Sequence, residues 1–333
     1  MIDFPIKEDF PDCEIEFDQR FNTPDACYEY LAQTKWPKGF ICESCGHSAY
    51  WISSKHIYIC RKCEHQYSLT AGTIMNRTRK PITHWFKAMW WFTTRKAGVN
   101  AVNLQELLGL GSYHTAWTWL QKLRRCTIRN DREKLSGRVE VDEFFIGGKK
   151  PGKRGRGAEG KTIAFVAVER NCVQDSNTLK THWEIGRVRL QAALDCSAFS
   201  LETFINLNIE DGSTVVTDNF ISYPSILNQR YCHITVDSQD KKDPEKGLHG
   251  AHLIVSLVKR LIRGTFQGRF EPKYLQNYLD EYVFRFNRRK SKSIGKKFMR
   301  IVQQVIKSCK IRNKDIQFDL DPISEYFSLG LSA

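Results

Sequence analysis

A chain of 333 residues with 41% hydrophobic and 12% aromatic side chains is long and apolar enough for two or three packed domains, which excludes a disordered protein. Lys and Arg number 51 against 37 Asp and Glu, a formal charge of +14. Such an excess is either a solvated basic surface or the mark of an anionic partner, and nucleic acid is the commonest one.

No run reaches the roughly eighteen uninterrupted apolar residues of a membrane span. The richest, Trp85 to Phe92, is interrupted by Lys87 and ends in Thr93-Thr94-Arg95-Lys96. The acidic N-terminus, MIDFPIKEDFPDCEIEFD, carries no signal-peptide pattern, so the protein is expected to stay in the cytoplasm, away from membranes. In that reducing compartment eleven cysteines point to metal rather than to disulfides.

Residues 1–35 read as a lead-in with one helix, Thr23 to Thr34, with Pro24 near its first position and Asp25 in its first turn. A cysteine-paired module follows over 36–68. Cys42, Cys45, Cys60 and Cys63 form C-x2-C-x14-C-x2-C, two knuckles that together offer four thiolates to one tetrahedral Zn²⁺. Gly46 supplies the permissive backbone that a tight knuckle needs. Four sulfurs leave no open coordination position, so this zinc is structural, and it supplies most of the module's folding energy. The other cysteines (Cys13, Cys27, Cys126, Cys172, Cys196, Cys232, Cys309) are unpaired in sequence and read as packing residues.

Residues 69–130 read as a helical DNA-binding region, with helical period over 80–130. Within them, 100–125 resembles a helix-turn-helix: a first helix ending near Leu108, a turn over 109–112, and a second helix from Tyr113 to Arg125. Lys122, Arg124 and Arg125 bring positive charge to the end of the second helix. An ordinary helical hairpin, packing Trp117 and Leu120 inward, fits the same pattern.

From about residue 131 short β-rich runs appear, at Val139 to Ile146, Thr162 to Val168, Gly186 to Ala192 and Thr214 to Thr217, with a helix from Ser200 to Leu207. Helices return at His252 to Ile262 and Pro272 to Phe286. The order predicts a mixed α/β (α+β) domain, with a mixed sheet flanked by helices, over 131–300, and a tail over 301–333. The basic loop 149–161, with Lys153, Arg154 and Arg156, offers one candidate phosphate contact. The acid-free run from Arg285 to Arg300, with Arg288 and Arg289, offers another, unless it is a solvated helix end.

Asp142 lies near the end of an apolar strand and Asp218 follows Val215-Val216-Thr217. A charge at the end of a sheet is costly to bury unless it is paired or holds a metal. Two such acids are what a two-metal phosphoryl-transfer site needs, although each equally suits the cap of a loop or helix. Glu143 competes with Asp142, because neighbouring strand residues face opposite ways and alternation does not choose between them. Glu281 and Arg285, four apart on a helix, suit a salt bridge.

GRVEVDEFFIGGKK, the loop KRGRG, TDNFISY and YLDEYVFRFNRR together resemble the DDE-type insertion-sequence transposases with an N-terminal zinc ribbon, prokaryotic relatives of the Merlin transposons. The resemblance runs from about Phe21 to Arg289. It implies an RNase H-like catalytic domain and two catalytic Mg²⁺ or Mn²⁺ ions. It also favours Asp142 over Glu143, and makes Asp142, Asp218 and His252 the ligand triad. His252 lies 34 positions after Asp218, and Lys259, seven further on, shares its helical face and is expected to anchor a DNA phosphate. Relatives commonly read Ser-Asn-Leu-Lys where this chain has Ser256-Leu257-Val258-Lys259. The implied activity is metal-dependent cleavage at element ends and strand transfer into target DNA. The implied partners are terminal inverted repeats, target DNA and further copies of the chain. A degenerate transposase kept for DNA binding, or a nuclease that cuts without joining, would carry much of the same pattern.

Overall fold

The computed structural model describes residues 8–129, 132–147, 162–175, 180–220, 223, 230–236 and 247–316. By its contacts the chain divides into two units, one of residues up to Arg129 with Lys290–Ile316, the other Asn130–Arg289.

The first unit opens with α1 (Glu14–Arg20) and α2 (Pro24–Lys35), the latter capped by Thr23, whose hydroxyl accepts from the Ala26 amide. A three-stranded antiparallel sheet follows: β1 (Tyr50–Ile52), β2 (Ile57–Cys60) and β3 (Gln66–Ser68). Then come α3 (Ile82–Thr94), α4 (Ala101–Leu108) and α5 (Tyr113–Arg125). Helix α3, apolar on nearly every side, is buried in protein. Among the described residues no helix is long and apolar enough to cross a membrane. Helices α4 and α5 fall within the bounds expected from the sequence, joined across Gly109, which takes the left-handed conformation (φ 57°) that ends α4.

The second unit holds a five-stranded sheet of β4 (Arg138–Ile146), β5 (Thr162–Gln174), β6 (Thr181–Ala193), β7 (Thr214–Thr217) and β8 (Cys232–Thr235), in the order β6-β5-β4-β7-β8. Strands β4, β5 and β6 are antiparallel neighbours, whereas β7 and β8 lie parallel to β4. Helix α6 (Ala198–Asn208) covers one face, with Val139, Val141 and Phe165 beneath it. Helices α7 (His249–Gly264) and α8 (Leu275–Asn287) cover the other, over Phe144, Ile146, Val166 and Leu190. Strand β8 had no signature in the sequence. It is a polar edge strand, mostly exposed, so it lacks the apolar alternation that marks a covered strand.

Helix α9 (Gly295–Lys307) runs across the boundary expected at 300 and packs in the first unit with α2 and α3. The chain leaves the second unit at Arg289 because Phe298 is the hub of the first unit's aromatic core. Its ring lies 5.4 Å from Phe17, 5.6 Å from Phe21, 5.8 Å from Phe86 and 5.7 Å from Trp90. Gly295 makes this docking possible, since a Cβ there would sit 1.8 Å from the Pro11 carbonyl oxygen.

One buried ion pair sets α7 on the sheet. Glu140, on the same face of β4 as Asp142, is 2% exposed and hydrogen-bonds Arg170 of β5. Its second oxygen accepts from the amide of Ala251 (2.8 Å), in the first turn of α7, where the helix dipole favours negative charge. Gly250 lets the helix come this close, because a Cβ there would lie 2.9 Å from Glu140 Oε2 and 3.0 Å from Arg170. Burial pushes the Glu140 carboxyl above the usual carboxylate value, and Arg170 with the amides of Ala251 and Gly250 opposes that push. Removing one partner of a buried pair strands the other charge. Glu140→Ala should therefore cost about 3–5 kcal/mol of stability. A denaturant midpoint indistinguishable from that of the parent chain would show that the pair holds nothing.

Candidate metal centre and nucleic-acid interface

The four cysteines come together as their spacing predicts. Their sulfurs lie within 4.8 Å of one another, with Cys42 and Cys63 at 3.5 Å and Cys45 and Cys60 at 3.6 Å. Ligands about 2.3 Å from a tetrahedral ion sit at about this separation.

The two knuckles repeat one backbone pattern. The Cys42 amide donates to the carbonyl of His47 and the Cys60 amide to that of His65. The residue after the second cysteine is left-handed in both, Gly46 at φ 72° and Glu64 at φ 57°. Glycine takes that conformation freely, whereas Glu64 takes it at a cost that the closed site must offset. A hydrogen bond with the Tyr67 hydroxyl, opposed by desolvation, lowers the Cys42 thiol to about 6. The donor set, four thiols of which one is already acidic, fits a structural zinc.

In the second unit, Asp142, Glu143 and Asp218 form an acidic cluster whose carboxylate oxygens all lie within 4.8 Å. Its origin is a register. Strands β4 and β7 pair as Arg138↔Thr214, Val139↔Val215 and Glu140↔Val216, and the same offset continued two residues brings Asp218 level with Asp142. Strand β7 ends at Thr217, so β4 runs on without a neighbour on that side and leaves a lip between the two aspartates. Local bonds orient both: Asp142 Oδ1 accepts from the Glu143 amide (2.8 Å) and Asp218 Oδ1 from the Phe220 amide (3.1 Å). Thr217, fully buried, hydrogen-bonds His233 of β8 (2.8 Å) and steadies the end of β7.

Glu143 corrects the expectation that alternation admits only one of the two neighbours. It points to the opposite face from Asp142, where the buried Tyr223 donates its hydroxyl to Oε2 (3.1 Å). At an open lip, however, carboxylates on both faces reach the same point. The nearby acids and burial push the Tyr223 phenol well above its ordinary value, burial being the larger effect, so it remains a donor.

Helix α7 brings His252 to the other side of this point, with Nε2 3.6 Å from Asp142 Oδ2. Desolvation, with His249 next, depresses its pKa, and Asp218 opposes them. The ring is therefore neutral near pH 7 and the contact is not an ion pair. At 3.6 Å it is too long for a hydrogen bond and suits two ligands of one ion. Carboxylates and one neutral imidazole form a donor set that fits Mg²⁺ or, because of the nitrogen, Mn²⁺ better. Lys259 lies two turns along the same face, 5.9 Å from the Phe144 ring centre. Leu257 is partly buried and offers no ligand atom.

The expected phosphate contacts fare unevenly. Arg124 is 2% exposed and donates to the Val99 carbonyl, so it packs the helical region and cannot face DNA. Lys122 and Arg125 are half-exposed on α5, where Trp119 stacks on Trp85 at 3.9 Å. Arg285 forms an ion pair with the fully buried Glu281, the salt bridge that their spacing suggested. Arg288 stacks on Phe284 and Arg289 on Phe286, and both donate to backbone carbonyls. Lys296 and Arg300 pair with Glu8. Lys153, Arg154 and Arg156 lie outside the described residues.

Sequence reasoning passed over Glu140, Arg170 and Tyr223. The run VEVDE did place Glu140 on the face of Asp142, but nothing local marked its partners.

Comparison with known families agrees with this layout. The family model for a transposase zinc-ribbon domain matches residues 22–66 and includes all four cysteines. The model for an ISXO2-like transposase domain matches residues 134–287, which include Asp142, Asp218, His252 and Lys259. No curated protein matches the chain.

Two measurements follow from this geometry. The purified protein should carry one tightly held zinc per chain, lost in Cys42→Ser and kept in Cys13→Ser. Acid should release it, since thiols must deprotonate to bind. Metal content unchanged in Cys42→Ser would rule the site out.

In the metal-free protein, an NMR titration of His252 should give a midpoint below the ordinary ~6.5, and lower still in Asp218→Asn, which removes the group pulling it upward. The unfolded chain takes the proton first. The neutral ring's contribution to stability is therefore complete above the ordinary histidine value and falls as pH drops toward the depressed one. A midpoint at that ordinary value would mean a solvated ring, and one above it a ring held charged by the carboxylates.

Proposed function

The chain belongs to the zinc-ribbon insertion-sequence transposases, and we propose on that premise that it cuts DNA at the ends of its element and joins the freed 3′ ends to target DNA. The observation that carries this reading is the meeting of Asp142, Glu143 and Asp218 at one lip of the sheet, with His252 of a distant helix 3.6 Å from Asp142. The antiparallel β4-β5-β6 followed by parallel β7 and β8, with helices on both faces, supports an RNase H-like assignment of the domain. The α4–α5 pair, with Lys122 and Arg125 at its end, supports a helix-turn-helix role in gripping the element's end.

Asp142 and Asp218 would hold a pair of divalent ions, with His252 as the nitrogen ligand. When bound, these ions would supply Lewis-acid polarisation of the scissile phosphate and a nucleophile active at neutral pH. The protein's own part is positioning. Asp142 and Asp218 keep fixed carboxylates at the end of a rigid sheet. His252 stays unprotonated, and Lys259 places a positive charge where a phosphate flanks the cut. Glu143, held by Tyr223, adds negative charge that the ions must offset. Further copies of the chain would bring the two ends of the element together.

The test is a strand-transfer assay with labelled DNA ends in Mg²⁺ or Mn²⁺. Asp142→Asn and Asp218→Asn should each lose cleavage and joining by more than the roughly 10–100-fold that loss of an outer-shell partner costs, while binding ends normally. Joining retained in either variant would show that other carboxylates do the chemistry. Cleavage without joined product in the parent chain would make it a nuclease, and binding alone a DNA-binding protein.

A further inference from the structure

The outer face of α7 does not end at Lys259. It continues as a groove of about 740 Å³ whose lining includes His252, Ser256, Lys259, Arg260 and Arg263. Spacings of three and four put these side chains on one helical face, and from His252 to Arg263 the row spans about 16 Å of helix axis. The helix, HGAHLIVSLVKRLIRG, contains no acid.

Elsewhere in the unit the arginines are largely committed: Arg170 to Glu140, Arg187 to Glu169, Arg285 to Glu281. Arg260 and Arg263 are exposed, and among the described residues neither is paired with a carboxylate. Two unpaired guanidiniums, a lysine and a hydroxyl in one row offer donors to a repeating anion. Val255, partly buried in the groove wall, offers an apolar surface between them.

We infer that this groove holds the sugar–phosphate backbone of a single DNA strand leading away from the acidic cluster, with Arg260 and Arg263 on successive phosphates beyond the one at Lys259. A single row of cations on one helix matches one strand, whereas a duplex presents two. The inference rests on the reading of the chain as a DNA-acting enzyme and adds which strand is held, and by which residues.

Salt dependence of binding tests it, using the full chain and a fluorescently labelled single-stranded oligonucleotide of arbitrary sequence. Each phosphate contact contributes about 0.7 to the slope of log K against log salt for a single strand. Arg260→Ala with Arg263→Ala should therefore flatten the slope by about 0.7 per residue. Arg260→Lys with Arg263→Lys should retain it, because the charges remain. The exposed pair Lys134→Ala with Lys180→Ala, outside the groove, should leave it unchanged.

An unchanged slope in the alanine pair would overturn the inference. So would an equal drop in the Lys134 and Lys180 control, which would mean bulk charge alone, or a loss seen only with duplex. Asp142→Asn should cleave nothing yet keep the parent slope. A parent chain that joins no DNA while the groove variant still loses slope would thus sink the transposition reading and leave the groove standing.

Discussion

The buried pair of Glu140 and Arg170 is the interaction on which the second unit depends. A carboxylate 2% exposed is tolerable only because a guanidinium and the first amides of α7 surround it. The same bonds decide where α7 begins. Once Ala251 is held on Glu140, its neighbour His252 has little choice but to stand over Asp142, two residues further along the same face of β4. Lys259, Arg260 and Arg263 then follow at helical spacing. An ion pair of modest net worth in stability is thus the alignment pin between strand and helix. Gly250 is the tolerance that lets the pin seat.

The other half of the site is set by where a strand stops. If β7 extended to the length of β4, it would pair beside Asp142 and Glu143 and close the open edge at which Asp218 meets them. Because β7 ends at Thr217, the turn carrying Asp218 opens toward β4, and three carboxylates share one small volume. Such a concentration of negative charge is unfavourable without cations. The adjacent row of positive residues on α7 supplies some, and bound divalent ions would supply the rest. The cysteine module solves its own small-core problem in a similar way, through ligands rather than apolar burial.

The helical part of the chain shows why basic residues are poor guides when read singly. Arg124, Lys296 and Arg300 all looked available in sequence. Each is instead committed, to a carbonyl or to Glu8. The partners lie up to hundreds of residues away, so no local pattern could report them. Arg260 and Arg263, which drew no attention in sequence, are exposed and, among the described residues, paired with no carboxylate.

What was legible beforehand was local. The cysteine spacing, the α4–α5 pair, the strand-end aspartates and the helical interval from His252 to Lys259 depend only on neighbours in the chain, where period and spacing carry the information. Tertiary structure alone decided the rest. It recruited Glu143 to the acidic cluster, because an open strand edge defeats alternation, and it added β8, whose polar edge has no apolar signature. It sent 290–316 back to the first unit, because Phe298 fills an aromatic core built from residues more than two hundred positions earlier. Contacts of that range are settled by which surfaces exclude water together, a property of the folded whole rather than of any segment.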